Sequence, residues 1–272
     1  MESLVRFGIF LGVFTTMIVW EFFSPRRSLS RPRRERWVTN LGITFLDMAL
    51  VRVTVGGAAY AAAVFATEQN VGVLHWLSTP SWAAVVVTLL VLDFAVYLQH
   101  VVMHAVPVLW RLHRVHHADL DCDATTGLRF HPIEILLSLG LKVAVVVLLG
   151  AVPWAVIAFE AILNASSVFN HSNVTIPEHF DRWLRWGLVT PDMHRIHHST
   201  RVMETNSNFG FSVSWWDRLC GTYKSEPTLG QVQMEIGLSE YRIPLNLGQL
   251  LLLPFRGDAG RYTFEGARLA QV

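Results

Sequence analysis

The chain has 272 residues and a net charge of +1, and 52% of its residues are hydrophobic against 16% charged. Soluble domains carry about 25% charged residues, and here the apolar excess comes in long blocks, which points to a bilayer rather than an oversized core. The near-neutral charge argues against a nucleic-acid partner. The two cysteines, Cys122 and Cys220, stand far apart in no metal-binding spacing, which argues against a disulfide framework and fits a reduced, cytoplasm-facing location.

Leu4 to Phe23 is almost entirely apolar and about 20 residues long, enough to span hydrocarbon. It reads as an uncleaved span, because Ser24-Pro25-Arg26-Arg27 follows it where a signal peptide would place small residues. Arg26, Arg27, Arg31, Arg33, Arg34 and Arg36 then face a single Glu35, so the positive-inside rule predicts a cytoplasmic loop in contact with anionic lipid. Further spans are predicted at about 38–66, interrupted by Asp47 and Arg52, and at about 82–106 after Pro80. Two short ones, about 135–149 and 154–169, flank Pro153 and read as a helical hairpin. From Val174 onward the chain is mixed in composition and is expected to fold as a helical cytoplasmic cap. The predicted fold is all-α: one integral-membrane domain, residues 1–272, with about four or five transmembrane helices. Threaded from the Arg loop, with the N-terminus outside, these spans bring ten of the twelve histidines to the cytoplasmic face.

Three histidine clusters carry the functional signal. They are His100-Val-Val-Met-His104, His113-Arg-Val-His116-His117 and His194-Arg-Ile-His197-His198. Positions i, i+3 and i+4 share one helix face, so each cluster can aim its imidazoles at one point. Neutral imidazole suits iron, copper, zinc and nickel. The clusters supply eight histidines, more than the roughly four to six ligands one ion takes, so two metals are implied. His131 and His171 are added as further metal ligands, with a hydrogen-bonding role behind a ligand as the other reading. His75 and His179 are expected to play no part.

With these clusters in place, the chain resembles the fatty acid hydroxylase and sterol desaturase superfamily. The matching pieces begin with Asp93-Phe-Ala-Val-Tyr97-Leu-Gln-His100-Val-Val-Met-His104, then Trp110-Arg-Leu-His113-Arg-Val-His116-His117 and Phe130-His131-Pro132-Ile-Glu134. Asn170-His171-Ser172, Thr190-Pro-Asp-Met-His194-Arg-Ile-His197-His198-Ser199 and Trp216-Asp217-Arg218-Leu-Cys-Gly221-Thr222-Tyr223 continue the match, over about 93–223. The resemblance implies a non-haem di-iron membrane enzyme that hydroxylates or desaturates a lipid with O2. The expected cofactors are two Fe ions cycling between Fe2+ and Fe3+. No His-Pro-Gly-Gly haem signature is present. No flavin or nicotinamide motif is visible either, so electrons are expected from an external NAD(P)H-linked donor, a separate ferredoxin, cytochrome or reductase.

Hydroxylation is favoured over desaturation, and sterol, fatty acyl chain, carotenoid and alkyl glycerol ether remain open as substrates. A histidine-rich membrane metal transporter is the alternative of another class, disfavoured because the histidines gather at one end instead of lining the spans. A zinc protease would need HExxH, which is absent. Asp93 and Tyr97 are expected to support the ligands from behind, and Glu134 either to do the same or only to cap the helix that starts at the His131-Pro132 turn. Asp93 shares a helix face with Tyr97, His100 and His104 and lies roughly 10 Å from His100 along the axis. It is expected to accept a hydrogen bond from His171 or His131, or else to pair with Arg52 or Lys142. Arg114 and Arg195 are read as snorkelling residues or as contacts for an anionic head group or donor protein, and Trp215 and Trp216 as interfacial anchors ahead of lining a lipid tunnel.

Overall fold

The computed structural model describes residues 2–54, 57–264 and 266. Six helices precede the second histidine cluster's end: α1 (Glu2–Phe23), α2 (Arg33–Thr54), α3 (Ala58–Glu68), α4 (Val73–Trp76), α5 (Ser81–Ala105) and α6 (Pro107–His117). After a loop with a 3-10 turn at Thr126–Leu128 come α7 (Pro132–Leu149) and α8 (Pro153–His171). Short helices follow: α9 (Glu178–Leu184), α10 (Pro191–His197), α11 (Val202–Thr205), α12 (Trp215–Leu219), α13 (Gly230–Gln233) and α14 (Leu247–Leu252). Among the described residues no strand forms; three isolated β-bridges, such as Pro25 with Val174, tie loops together.

Proline sets where the histidine-bearing helices begin. It occupies the first turn of α6, α7, α8 and α10, where its missing N–H costs nothing. His131 caps α7 by accepting from the Ile133 amide at 3.2 Å, and Thr190 caps α10 from the Met193 amide at 3.3 Å. These starts place His113 on α6, His116 and His117 on its last turn, and His194 and His197 on α10.

The long helices pack as a bundle whose ends differ in chemistry. At one end, α3, α5, α7 and α8 close on Ala59, Ala63, Leu92, Val146, Val156 and Phe159, the alanines allowing close approach of the helices. There the turn at Gly72 sits against the turn at Gly150. The other end is polar and buried. The last turn of α1, the first of α2, the last of α5 and α8 and the first of α7 all meet there. Glu21 of α1 accepts from the amides of Ala124 at 2.7 Å and Asn173 at 2.9 Å.

The segment expected as one span at 38–66 is two helices, α2 and α3. Gly57, just before α3, sits at φ 82°, a left-handed conformation that interrupts helical hydrogen bonding and that glycine adopts without a Cβ clash. The other four expected spans fall on α1, α5, α7 and α8. Of the described helices, α5 and α7 have both the length and the hydropathy of a membrane span, with mean hydropathy 2.1 and 2.2. Little of either apolar stretch is buried, unlike the core helix of a soluble protein. Their outward side chains, among them Trp82, Val86, Leu98, Leu137, Leu141 and Leu148, form an apolar surface that associates with a membrane.

The Arg26–Arg36 loop is not mainly a lipid contact. Arg26 pairs with Asp192 at 2.9 Å, and Arg27 donates to the Met234 carbonyl at 2.7 Å. Arg36 is buried and grips Asp119 with two parallel bonds of 2.6 and 2.8 Å, and Asp123 with a third of 2.7 Å. Asn40, one turn further along α2, donates to Asp119 at 2.9 Å. Burial pushes the Asp119 carboxyl up, but the Arg36 charge and hydrogen bonds overcome this and hold it well below the usual carboxylate range. The residues just after His117 are thereby fastened to α2. Removing one partner of a buried ion pair leaves the other unpaired, at a cost of about 3–5 kcal/mol. Arg36→Ala should therefore lower thermal stability in detergent sharply, whereas Arg34→Ala, at an exposed position, should shift it by no more than about 0.5 kcal/mol. A melting curve for each variant checks this.

Candidate metal centre

Nine histidines converge at the polar end, in two groups. His100, His104, His113, His117 and His197 form one, and His116, His171, His194 and His198 the other, with the nitrogens of each group within 4.8 Å of one another. All nine are buried. The groups adjoin: the rings of His117 and His198 lie 4.5 Å apart and those of His194 and His197 5.1 Å. Burial first, and then neighbouring imidazoles, push His116, His117, His194 and His198 well below the ordinary histidine range. His197 is lowered in the same way, by burial and then by His113. Both effects favour the neutral imidazole, the form that binds a metal.

The outer contacts fix which nitrogen carries the proton. A carbonyl only accepts, so an Nδ1 facing one must be N–H. His100 donates from Nδ1 to the Phe209 carbonyl at 2.8 Å and His197 to the Ser207 carbonyl at 2.8 Å. His116 donates to the Arg129 carbonyl at 3.1 Å and His171 to the Ser167 carbonyl at 2.6 Å. His113 bonds the Glu134 carboxylate at 2.7 Å. In a neutral ring held this way, Nε2 is the bare acceptor, and it is directed inward. In the five-histidine group all five Nε2 atoms are buried without a hydrogen-bond partner. In the other, the Nε2 of His171 lies 3.0 Å from that of His116 and 3.1 Å from that of His194. For His116 and His171 these are two bare nitrogens, which repel unless a cation draws both. Buried polar atoms are seldom left unpartnered. The donor set fits two nitrogen-loving divalent ions, one per group, and a histidine ligand with its other nitrogen hydrogen-bonded is the arrangement usual in metal sites.

Aromatic rings seal the centre. Phe130 stacks on His116 at 4.6 Å, Trp110 lies 4.6 Å from His104, and Phe209 lies 5.1 Å from His104 and 5.3 Å from His197.

The other expected residues divide. Glu134 sits directly behind His113. His131 is brought to neither group: its Nε2 faces the Leu251 carbonyl at 3.3 Å and its Nδ1 caps α7. Asp93 meets neither His171 nor His131, nor does it pair with Arg52 or Lys142. It accepts from the Trp216 indole at 2.8 Å, while Lys142 pairs with Glu160 at 3.1 Å. Tyr97 meets the Thr222 hydroxyl at 3.0 Å. Both therefore hold the 209–222 loop, which supplies the Phe209 carbonyl to His100. Arg114 and Arg195 are buried rather than snorkelling. Arg114 donates to the carbonyls of Leu253, Arg256 and Asp258, and Arg195 pairs with Asp192. His75 and His179 lie outside both groups, as expected.

Sequence reasoning missed Asn206, whose Oδ1 faces Nδ1 of His104 at 3.2 Å. It missed the role of Asp217 as well. That carboxylate accepts from the amides of Phe209 at 2.7 Å and Gly210 at 2.8 Å and so shapes the loop behind His100. Asn206-Ser-Asn208, just past the third cluster, was the available signal. Partners that are backbone carbonyls leave no mark in sequence.

A membrane-associated helical protein with nine buried imidazoles aimed at two points has a centre that can hold metal ions. The fatty acid hydroxylase family model matches residues 85–222, half of the chain, and the chain belongs to that family. It is 30% identical over 213 residues to the ornithine lipid hydroxylase of Rhizobium tropici, covering 72% of this chain and 62% of that one. It is 30% identical to the alkylglycerol monooxygenase of Xenopus tropicalis, over 56% of this chain and 32% of that one. It is 28% identical to the cholesterol 25-hydroxylase of Mus musculus, over 58% and 56%. The chain thus spans from about a third to less than two thirds of the length of these relatives. No solved structure matches it.

Close packing at Gly127 offers a test of the second group. A Cβ there would come within 2.4 Å of the Ser167 carbonyl oxygen and 3.1 Å of His171 Nδ1, the two atoms whose bond orients that ring. Gly127→Ala should weaken metal binding by about 10- to 100-fold at one of two sites, the usual cost of disturbing a ligand's outer partner. Gly140→Ala, with nothing near its Cβ, should leave metal content unchanged. Metal analysis after dialysis at low free metal reads both.

Proposed function

We propose that the protein is a di-iron lipid hydroxylase that inserts one atom of O2 into a C–H bond of a membrane lipid. The observation that carries this reading is the set of bare Nε2 atoms directed into a buried, aromatic-walled centre, in a chain of the fatty acid hydroxylase family. His100, His104, His113, His117 and His197 would hold one iron, and His116, His171, His194 and His198 the other. Bound there, the two irons would supply dioxygen activation and the removal of hydrogen from an unactivated C–H bond.

The chain's own residues would do the rest. Carbonyls and Glu134 orient the imidazoles; Trp110, Phe130 and Phe209 exclude water; the apolar faces of α5 and α7 keep the centre beside the bilayer, from which a lipid tail can reach it. α1, the α2–α3 pair, α5, α7 and α8 would cross the membrane, with the histidine end on the cytoplasmic side, where a separate ferredoxin, cytochrome or reductase can deliver electrons. The ornithine lipid hydroxylase, the relative matched over the greatest length among those compared, makes a polar aminoacyl lipid the first substrate to try, and the relatives' names favour hydroxylation over desaturation.

Protein in lipid nanodiscs, with a ferredoxin, its reductase, NADPH and ornithine lipid, should give a product heavier by 18 mass units under ¹⁸O2. His116→Ala and His197→Ala should abolish turnover while still inserting in membranes. A product two mass units lighter would indicate desaturation, and near-normal turnover in either variant would remove its histidine from the ligand set.

Orientation has its own test. Cys122 is buried against Met234 and Ile236, and burial pushes its thiol up to about 12, so it cannot report. Cys220 is exposed. A membrane-impermeant maleimide should leave Cys220 unlabelled in intact cells and label it after permeabilisation. Labelling in intact cells would put this face outside.

A further inference from the structure

Among the histidines of the five-membered group whose Nδ1 partner is seen, His104 is held differently. His100 and His197 lean on backbone carbonyls and His113 on a carboxylate, all of which can only accept. His104 faces the side-chain amide of Asn206 at 3.2 Å. An amide can present either of its ends. With oxygen toward His104, Nδ1 carries the proton and Nε2 points its lone pair at the other four nitrogens. With NH2 toward His104, Nδ1 must accept, the proton moves to Nε2, and the ligand is lost.

What decides is a residue from the far end of the chain. Asn206 Nδ2 donates to the backbone carbonyl of Tyr262 at 2.9 Å. That carbonyl tolerates only a donor, so it forces the amide oxygen toward His104. Tyr262 is itself held from several sides. Its hydroxyl donates to the Thr200 carbonyl at 2.9 Å and accepts from the Ser239 amide at 3.0 Å. Its ring lies 5.9 Å from Trp110, the ring that packs on His104 and His117. Two residues on, Phe264 lies 6.2 Å from Phe209, which covers the same group. Residues 262–264 lie outside the stretch the family model matches, 85–222.

We propose that Tyr262 is a positioning residue for the five-histidine group. Its carbonyl fixes the Asn206 amide, the amide fixes the tautomer of His104, and the segment ending the described chain so completes a metal site whose ligands all lie elsewhere. The inference rests on the reading that this group holds a metal.

The test is anaerobic titration of the detergent-solubilised protein with Fe2+ alone. The full chain should bind two equivalents. A chain ending at Gly260 should bind one at unchanged affinity, with the second weakened by about 10- to 100-fold. Adding Asn206→Asp to that shortened chain should restore the second equivalent. A carboxylate presents oxygen to His104 whichever way it turns, and the Tyr262 carbonyl that would oppose it is gone. Simple loss of packing would not be rescued this way. Asn206→Ala in the full chain should weaken the same single equivalent, and it covers the case in which the shortened chain fails to fold. Two equivalents at full-chain affinity in either the shortened chain or Asn206→Ala would overturn the proposal, as would a weakened site that Asn206→Asp does not restore. A full chain that binds fewer than two equivalents would instead defeat the metal reading beneath it.

Discussion

Burial of nine imidazoles against one another disfavours the charged form, and a neutral imidazole has one nitrogen that donates and one that accepts. Five of the nine give Nδ1 to an oxygen of the surrounding protein and turn Nε2 inward: His100, His113, His116, His171 and His197. His104 follows the same rule through Asn206. Lone pairs facing one another across a few ångströms are unfavourable without a cation, so this arrangement is one that can hold metal ions. The rest of the structure holds the outer oxygens where the rings require them.

That requirement explains the polar buried end of the bundle. Carbonyls become available where helices stop, and the helices stop there: α6 at His117, α8 at His171, α10 at His197. Ser167 and Arg129 supply carbonyls from a helix end and a loop, and Ser207 and Phe209 supply theirs from an irregular segment. Irregular backbone must itself be held. Asp217 gathers the amides of Phe209 and Gly210, Asp93 anchors Trp216, and the Arg36–Asp119 pair fastens the loop after His117 to α2. A charge buried this deeply repays its desolvation only through such geometry, two parallel bonds of 2.6 and 2.8 Å in the case of Arg36.

The histidine spacing was the legible part of the sequence, because ligand groups at i, i+3 and i+4 can be read from one dimension. The apolar blocks were legible too, and four of the five fall on single helices. The fifth failed at Gly57, where a run of hydrophobic residues hides a backbone that does not continue as helix. His131 was misplaced because a histidine before Pro132 looks the same as a cap and as a ligand. Asp93 was given the wrong partner, since sequence cannot show that Trp216 folds back against α5. The Arg26–Arg36 run looked like a lipid contact because charge reads the same whether it faces lipid or Asp119. Asn206, Asp217 and Tyr262 act through amides and carbonyls, and only the folded chain brings those together.

The central claim is that the two groups are two iron sites in one chain, unequal in their nitrogen count. Mössbauer spectroscopy of protein enriched in ⁵⁷Fe and purified anaerobically addresses this directly. Two high-spin ferrous doublets of equal area and different quadrupole splitting, from about two irons per chain, are predicted. A single iron environment at one iron per chain, or an active protein filled with zinc and free of iron, would contradict the account, because zinc carries no redox chemistry.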